Sequence, residues 1–174
     1  MGNEPELEEL EHRIGADPAN AELRYLYGAE LAQRGKYDRA AIEFGTALHI
    51  APHLHYARFQ LGLLQLTMAQ PDAALATWSA LDGLTGEFAA LALFKRGLEA
   101  LIYDRFAECL DYLTRGIQTN TRNKALNADM SLIIQRVRTQ QAASAAAPPA
   151  TAHTELSADI RTDFSKYTDG SRAQ

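Results

Sequence analysis

Three glycines fall at near-equal intervals inside apolar, helix-forming stretches: Gly28, Gly62 and Gly97, separated by thirty-four and thirty-five residues. A glycine in a helix interior costs about 1 kcal/mol relative to alanine, so a chain that repeats it three times needs a packing reason. A second helix crossing too closely to admit a Cβ supplies one. Around each glycine the same residue types return. The first copy reads Gly28, Gly35, Tyr37, Ala40, Phe44, Ala47 and Pro52. A shift of thirty-four aligns Gly62, Ala74, Trp78 and Leu81, and thirty-five more aligns Gly97, Phe106, Cys109 and Leu113. Such a period belongs to a two-helix unit that cannot bury its apolar face alone and must stack on its neighbours.

The apolar periodicity predicts helices over 21–34, 37–50, 55–69, 71–83, 88–103 and 105–118, punctuated by the turn signals "RGKYD", "AP" and "QPD". The fold expected is all-α, an α-solenoid of three two-helix repeats over residues 21–123. Residues 1–20 carry an acidic N-terminal helix with Leu7 and Leu10, followed by the turn "GADPAN", and serve as a cap. Residues 124–140 place Leu126, Met130, Ile133, Ile134 and Val137 on one stripe, which suits a helix covering the last open face. Residues 141–174 read as an Ala/Pro linker and a tail, in which Leu156, Ile160, Phe164 and Tyr167 form a weak amphipathic stripe.

The motif Gly-x6-Gly-x-Tyr-x2-Ala-x3-Phe-x2-Ala-x4-Pro in residues 21–54 resembles the tetratricopeptide repeat family. Arg24 and Leu31 replace the usual Trp and Tyr. Residues 55–88 keep Leu61, Gly62, Ala74 and Trp78, with Gly86 where Pro is expected. Residues 90–123 keep Gly97 and Phe106, while Leu113 and Thr121 stand for Phe and Pro. The resemblance covers about two thirds of the chain. It implies helix-turn-helix pairs stacking into a superhelix whose first helices line a concave groove that binds protein. In size, acidity, repeat number and apolar groove the chain is also similar to the bacterial chaperones that hold secreted translocator proteins.

The stretch "HYARFQLGLLQLTM", residues 55–68, carries large apolar side chains on two sides. On the resemblance, one side packs on the second helix of the pair and the other lines the groove. The packing side is taken as Ala57, Leu61, Leu64 and Met68. The groove is then Tyr25 and Ala29 from the first repeat, Tyr56, Phe59, Leu63 and Leu66 from the second, and Leu91, Phe94, Leu98 and Leu101 from the third. Tyr25, Phe59 and Phe94 recur at equivalent places as an aromatic row. The family's clamp of Lys, Arg and Asn for a peptide carboxylate has no counterpart, because those places hold Tyr25, Ala29, Phe59, Leu63, Phe94 and Leu98. The expected partner is an apolar peptide or amphipathic helix of another protein. The alternative is a self-associating assembly subunit or homodimer, with the stripe Leu156, Ile160, Phe164 and Tyr167 docked in its own or a neighbour's groove.

Composition narrows the rest. With 22 acidic against 17 basic side chains and a net charge of -5, the chain has no electrostatic reason to approach a phosphate backbone, so nucleic acid is not expected. Cys109 is the single cysteine and takes the small-residue slot of Ala40 and Ala74, so it reads as a buried packing residue. His49, His53 and His55 cluster in sequence, but Pro52 stops a helix from bringing the first two to one face. Glu4, Glu6, Glu8, Glu9 and Glu11 read as a solvated helix face, and Arg115, Arg122, Lys124, Arg136 and Arg138 as surface charge. No phosphate loop, nucleophile elbow or zinc-protease motif occurs. The expectation is therefore a non-enzymatic protein without cofactor or metal, cytoplasmic, since no uncharged run reaches membrane-spanning length and the acidic N-terminus lacks the features of a signal peptide.

Overall fold

The computed structural model describes residues 4–146, in which there are eight α-helices and no strand. They are α1 (Glu4–Ala16), α2 (Ala21–Gln33), α3 (Tyr37–Ile50), α4 (His55–Thr67), α5 (Pro71–Trp78), α6 (Ala89–Ile102), α7 (Phe106–Thr119) and α8 (Lys124–Ala146). The six helices expected in the repeats are present. The fifth is shorter than expected and continues as a 3-10 turn, Ser79–Leu81, and a second 3-10 turn, Gly86–Phe88, precedes α6. The helix α8 runs on to Ala146 rather than ending near residue 140. Alanine is the strongest helix former, and the run Ala142, Ala143, Ala145 and Ala146 carries the helix to the last described residue. The stripe Leu156, Ile160, Phe164 and Tyr167 lies outside the described residues.

The chain forms two compact units, one through Ser79 and one from Ala80. In the first, α1 packs on α2, α2 on α3, α3 on α4 and α4 on α5. Its core joins Leu7 of α1, Tyr27, Leu31 and Ala32 of α2, Ala40 and Phe44 of α3, and Leu64 of α4. Polar groups tie the same helices together. Asn20 caps α2 by accepting from the Leu23 N–H at 3.1 Å, Arg24 pairs with Glu43 at 2.9 Å, and Tyr27 donates to Glu11 while accepting from Arg39 at 2.7 Å. In the second unit α6 packs on α7 and α7 on α8. The expected stripe of α8 is buried throughout, from Leu126 through Met130, Ile133 and Ile134 to Val137. Its entry is built from asparagines. Asn120 Nδ2 donates to the Asn123 carbonyl at 2.9 Å and to Asn127 Oδ1 at 2.8 Å, while Asn123 Oδ1 caps α8 through the Leu126 N–H at 2.9 Å.

Three helix ends share one backbone geometry. The turns ending α2, α4 and α6 each place one residue in the left-handed region: Gly35 at φ 71°, Ala69 at 57° and Asp104 at 58°. In each turn the next N–H reaches back five residues, Lys36 to Leu31, Gln70 to Gln65 and Arg105 to Ala100, at 2.8 to 2.9 Å. This is the Schellman closure, which satisfies carbonyls a helix end would otherwise leave open. Glycine fits it without strain; Ala69 and Asp104 hold it against the Cβ penalty.

Candidate functional site

The glycines do what their spacing implied. A Cβ built on Gly28 would lie 2.9 Å from the Phe44 ring; one on Gly62 would overlap the Trp78 indole; one on Gly97 would lie 2.5 Å from Leu113. The obstructing residue stands sixteen positions after the glycine in all three pairs. Ala40, Ala74 and Cys109, four positions before it, are fully buried. Burial pushes the Cys109 thiol up to about 12, which suits a packing residue and not a nucleophile.

That contact fixes which face of each first helix meets its partner, and it corrects the expected face assignment. At about 100° per residue, the residues three before and four after a glycine share its side of the helix. On α4 these are Phe59 and Leu66, both fully buried. The Phe59 ring stacks on Trp78 with centroids 5.9 Å apart, and the Trp78 indole N–H donates to the Phe59 carbonyl at 3.0 Å. Phe59 and Leu66 thus occupy the α4–α5 interface rather than an open groove. The side given to α5 in the sequence reading turns to the preceding pair instead: Leu64 is buried in the α2–α3 core, and Leu61 and Met68 pack against it. The two apolar sides of "HYARFQLGLLQLTM" therefore serve two neighbouring helical layers.

The aromatic row follows the same rule. Tyr25 lies 5.9 Å from Phe44 across its own pair, and Phe94 abuts Gly116 of α7. On α6 the correction is complete, because Leu91, Phe94, Leu98 and Leu101, all expected in the groove, have 2% exposure or less. Lys95 is buried among them, paired with Asp82 at 2.9 Å and Glu99 at 2.8 Å. Burial alone depresses its ammonium, yet the two carboxylates outweigh this and hold its pKa above the ordinary value.

Four of the expected groove residues are partly buried rather than buried: Tyr25 and Ala29 on α2, which also pack against the core of the first unit, and Tyr56 and Leu63 on α4. On α4, Tyr56, Gln60, Leu63 and Thr67 follow one another at helical spacing, all half-buried, on a side that neither packing contact uses. Thr67 donates its hydroxyl to the Leu63 carbonyl at 3.0 Å. None of these side chains is charged. Burial raises the Tyr25 phenol above its ordinary value, with Tyr56 adding to the effect, so the two tyrosines share one neighbourhood. Gln60 and Thr67 complete this face; being polar they leave no mark in the apolar periodicity, though helical spacing from Tyr56 places them on it.

Among the described residues no group of three His, Cys, Asp or Glu side chains is placed to hold a metal. The helix α3 ends at Ile50 and α4 begins at His55, which separates His49 from His53 and His55 as Pro52 requires. No helix among the described residues is long and apolar enough to cross a membrane. Comparison with protein-family models, curated proteins and solved structures finds no match to this chain.

Proposed function

We propose that the chain is a non-enzymatic protein-binding module of the tetratricopeptide type, an adaptor or chaperone, that takes an apolar segment of another protein along the face of Tyr25, Ala29, Tyr56 and Leu63. The observation that carries this reading is the third side of α4. Its other two sides are filled by α5 and by the α2–α3 core, and Tyr56, Gln60, Leu63 and Thr67 stay half-buried and uncharged. Stacked helical pairs joined by identical turns are the repeat architecture in which such a side becomes a ligand surface. Two phenols and a glutamine amide offer hydrogen bonds to a peptide backbone, and Leu63 and Ala29 accept apolar anchors.

The test is to select binders from a random peptide library on the full-length protein and measure them by fluorescence anisotropy. Leu63→Asp should weaken the selected peptides by about tenfold or more, roughly 1.4 kcal/mol, with helicity kept and the protein still fully folded in the absence of urea. Selected peptides that bind Leu63→Asp as well as the parent protein would reject this face.

A further inference from the structure

Building on the reading of Tyr56, Gln60 and Leu63 as a ligand face, we propose that the equivalent side of α6 is a second peptide site, occupied in cis by the strap of residues 81–87. Its partner has the strap's own chemistry, a carboxylate set between apolar side chains. At a shift of thirty-five, Leu91, Lys95 and Leu98 hold on α6 the places of Tyr56, Gln60 and Leu63. Lys95 is the middle one, and its ammonium donates to Asp82 Oδ1 at 2.9 Å. The Lys95 side chain is 8% exposed and that of Asp82 53%, so Asp82 lies outside Lys95, between it and water. Leu81, next to Asp82, is fully buried. At the other end of the strap Glu87 pairs with Arg122, in the turn between α7 and α8. Gly83 and Gly86 bend the chain between the two ion pairs at φ 76° and 61°, where a Cβ would meet nothing; glycine there serves the backbone path and not packing.

Two features make the strap detachable. Its backbone bonds are local and long, from the Leu84 N–H to the Leu81 carbonyl at 3.4 Å and from the Phe88 N–H to the Thr85 carbonyl at 3.3 Å. Lys95 also has a second carboxylate, Glu99, one turn on in the same helix at 2.8 Å. Release of Asp82 therefore leaves the ammonium paired and strands no buried charge. It also frees a donor direction of Lys95 between Leu91 and Leu98. A peptide with Asp or Glu between apolar residues, spaced as Leu81, Asp82 and Leu84 are, supplies what the strap withdraws. Gln60 at the matching place on α4 is neutral, so the two faces select different peptides.

Hydrogen exchange and peptide binding on the full-length protein test this. In Asp82→Asn with Glu87→Gln, the amides of residues 82–88 should exchange about tenfold faster, with the protection of α7 and α8 kept. Glu87→Arg alone should also speed this exchange, and Arg122→Glu added to it should slow it again. The labelled peptide SALDGLTGEF, residues 79–88, competes with the tethered strap, so by fluorescence anisotropy it should bind the double variant about tenfold more tightly than the parent. The same peptide carrying Asp82→Asn should lose that gain. Leu63→Asp in the double variant should leave its binding unchanged, which separates this site from the α4 face. Unchanged exchange at 82–88, equal affinity for parent and double variant, or binding lost with Leu63→Asp would each overturn the strap.

Discussion

The helices α4 and α6 each open a helical pair with a glycine pressed against the second helix, and they differ on their remaining side. Gly62 corresponds to Gly97, Phe59 to Phe94, Leu66 to Leu101, and in each the glycine side is pressed against the second helix of the pair. The difference lies on the third side. Tyr56, Gln60 and Leu63 are half-buried on α4, whereas their counterparts Leu91, Lys95 and Leu98 are buried on α6. The connection before α4 is the short stretch 51–54. The one before α6 is longer, turns through Gly83 and Gly86 at positive φ, and sends Asp82 to Lys95. Similar apolar side chains are thus core in one pair and surface in another.

The sharpest break of this comparison comes from truncating matched leucines. Leu98→Ala should cost about 2–5 kcal/mol, as should any fully buried leucine, while Leu63→Ala costs about 1 kcal/mol or less. Urea midpoints of the two variants measure the gap, and equal losses would mean that α4 and α6 are closed alike. Phe59→Ala and Phe94→Ala, by contrast, should both cost about 3–5 kcal/mol, because their shared side is packed in both pairs.

Next in size is the series of glycine substitutions. Gly62→Ala should destabilise by about 2–3 kcal/mol, since the Trp78 indole is fully buried and held by its bond to the Phe59 carbonyl. Gly97→Ala should cost less, because Leu113 can change rotamer, and Gly28→Ala least, about 1 kcal/mol or below, its nearest contact being the looser 2.9 Å to Phe44. Thermal unfolding of the three variants would give the order; any other order would disprove the shared geometry.

A smaller effect distinguishes the second unit by pH. Asp129 on α8 is half-buried, and desolvation raises its carboxyl to about 6. Its protonated form stabilises the fold below about pH 4, and that contribution fades as the pH rises to about 6. Asp129→Asn keeps the neutral form at every pH. It should stabilise by about 1–2 kcal/mol at pH 7, after discounting for the part of the carboxyl still in water, and by nothing at pH 3.5. Denaturation at the two pH values measures it, and a gain independent of pH would assign the effect to packing. Smallest are the turns. Ala69→Gly should gain about 0.5–1 kcal/mol by releasing a Cβ at φ 57°, and Asp104→Gly rather less, since Asp tolerates that conformation better.

Much of the fold could be read before any coordinates. The positions of Gly28, Gly62 and Gly97 located three close helix crossings, because no other demand keeps glycine mid-helix at a constant period. Ala40, Ala74 and Cys109 were legible as the small residues beside them, and the buried stripe of α8 from its four- and three-residue spacing. The candidate site was legible in part. Tyr25, Ala29, Tyr56 and Leu63 stay partly buried, the first two against the core of the first unit, while Phe59, Leu66 and all four residues from α6 lie inside.

The sequence by itself determined which residues are apolar and how often they recur, and hence where helices start, stop and cross. Periodicity of that kind is a local property, carried by spacing along one helix. Which apolar side meets which neighbour was decided by tertiary structure, since a helix with two or three apolar sides can be rotated to bury any of them. The contact of Gly62 with Trp78 fixes that rotation, and Leu64 then enters the α2–α3 core. Exposure on the remaining side, partial on α4 and nil on α6, depends on what packs against it, which side-chain periodicity along one helix does not encode.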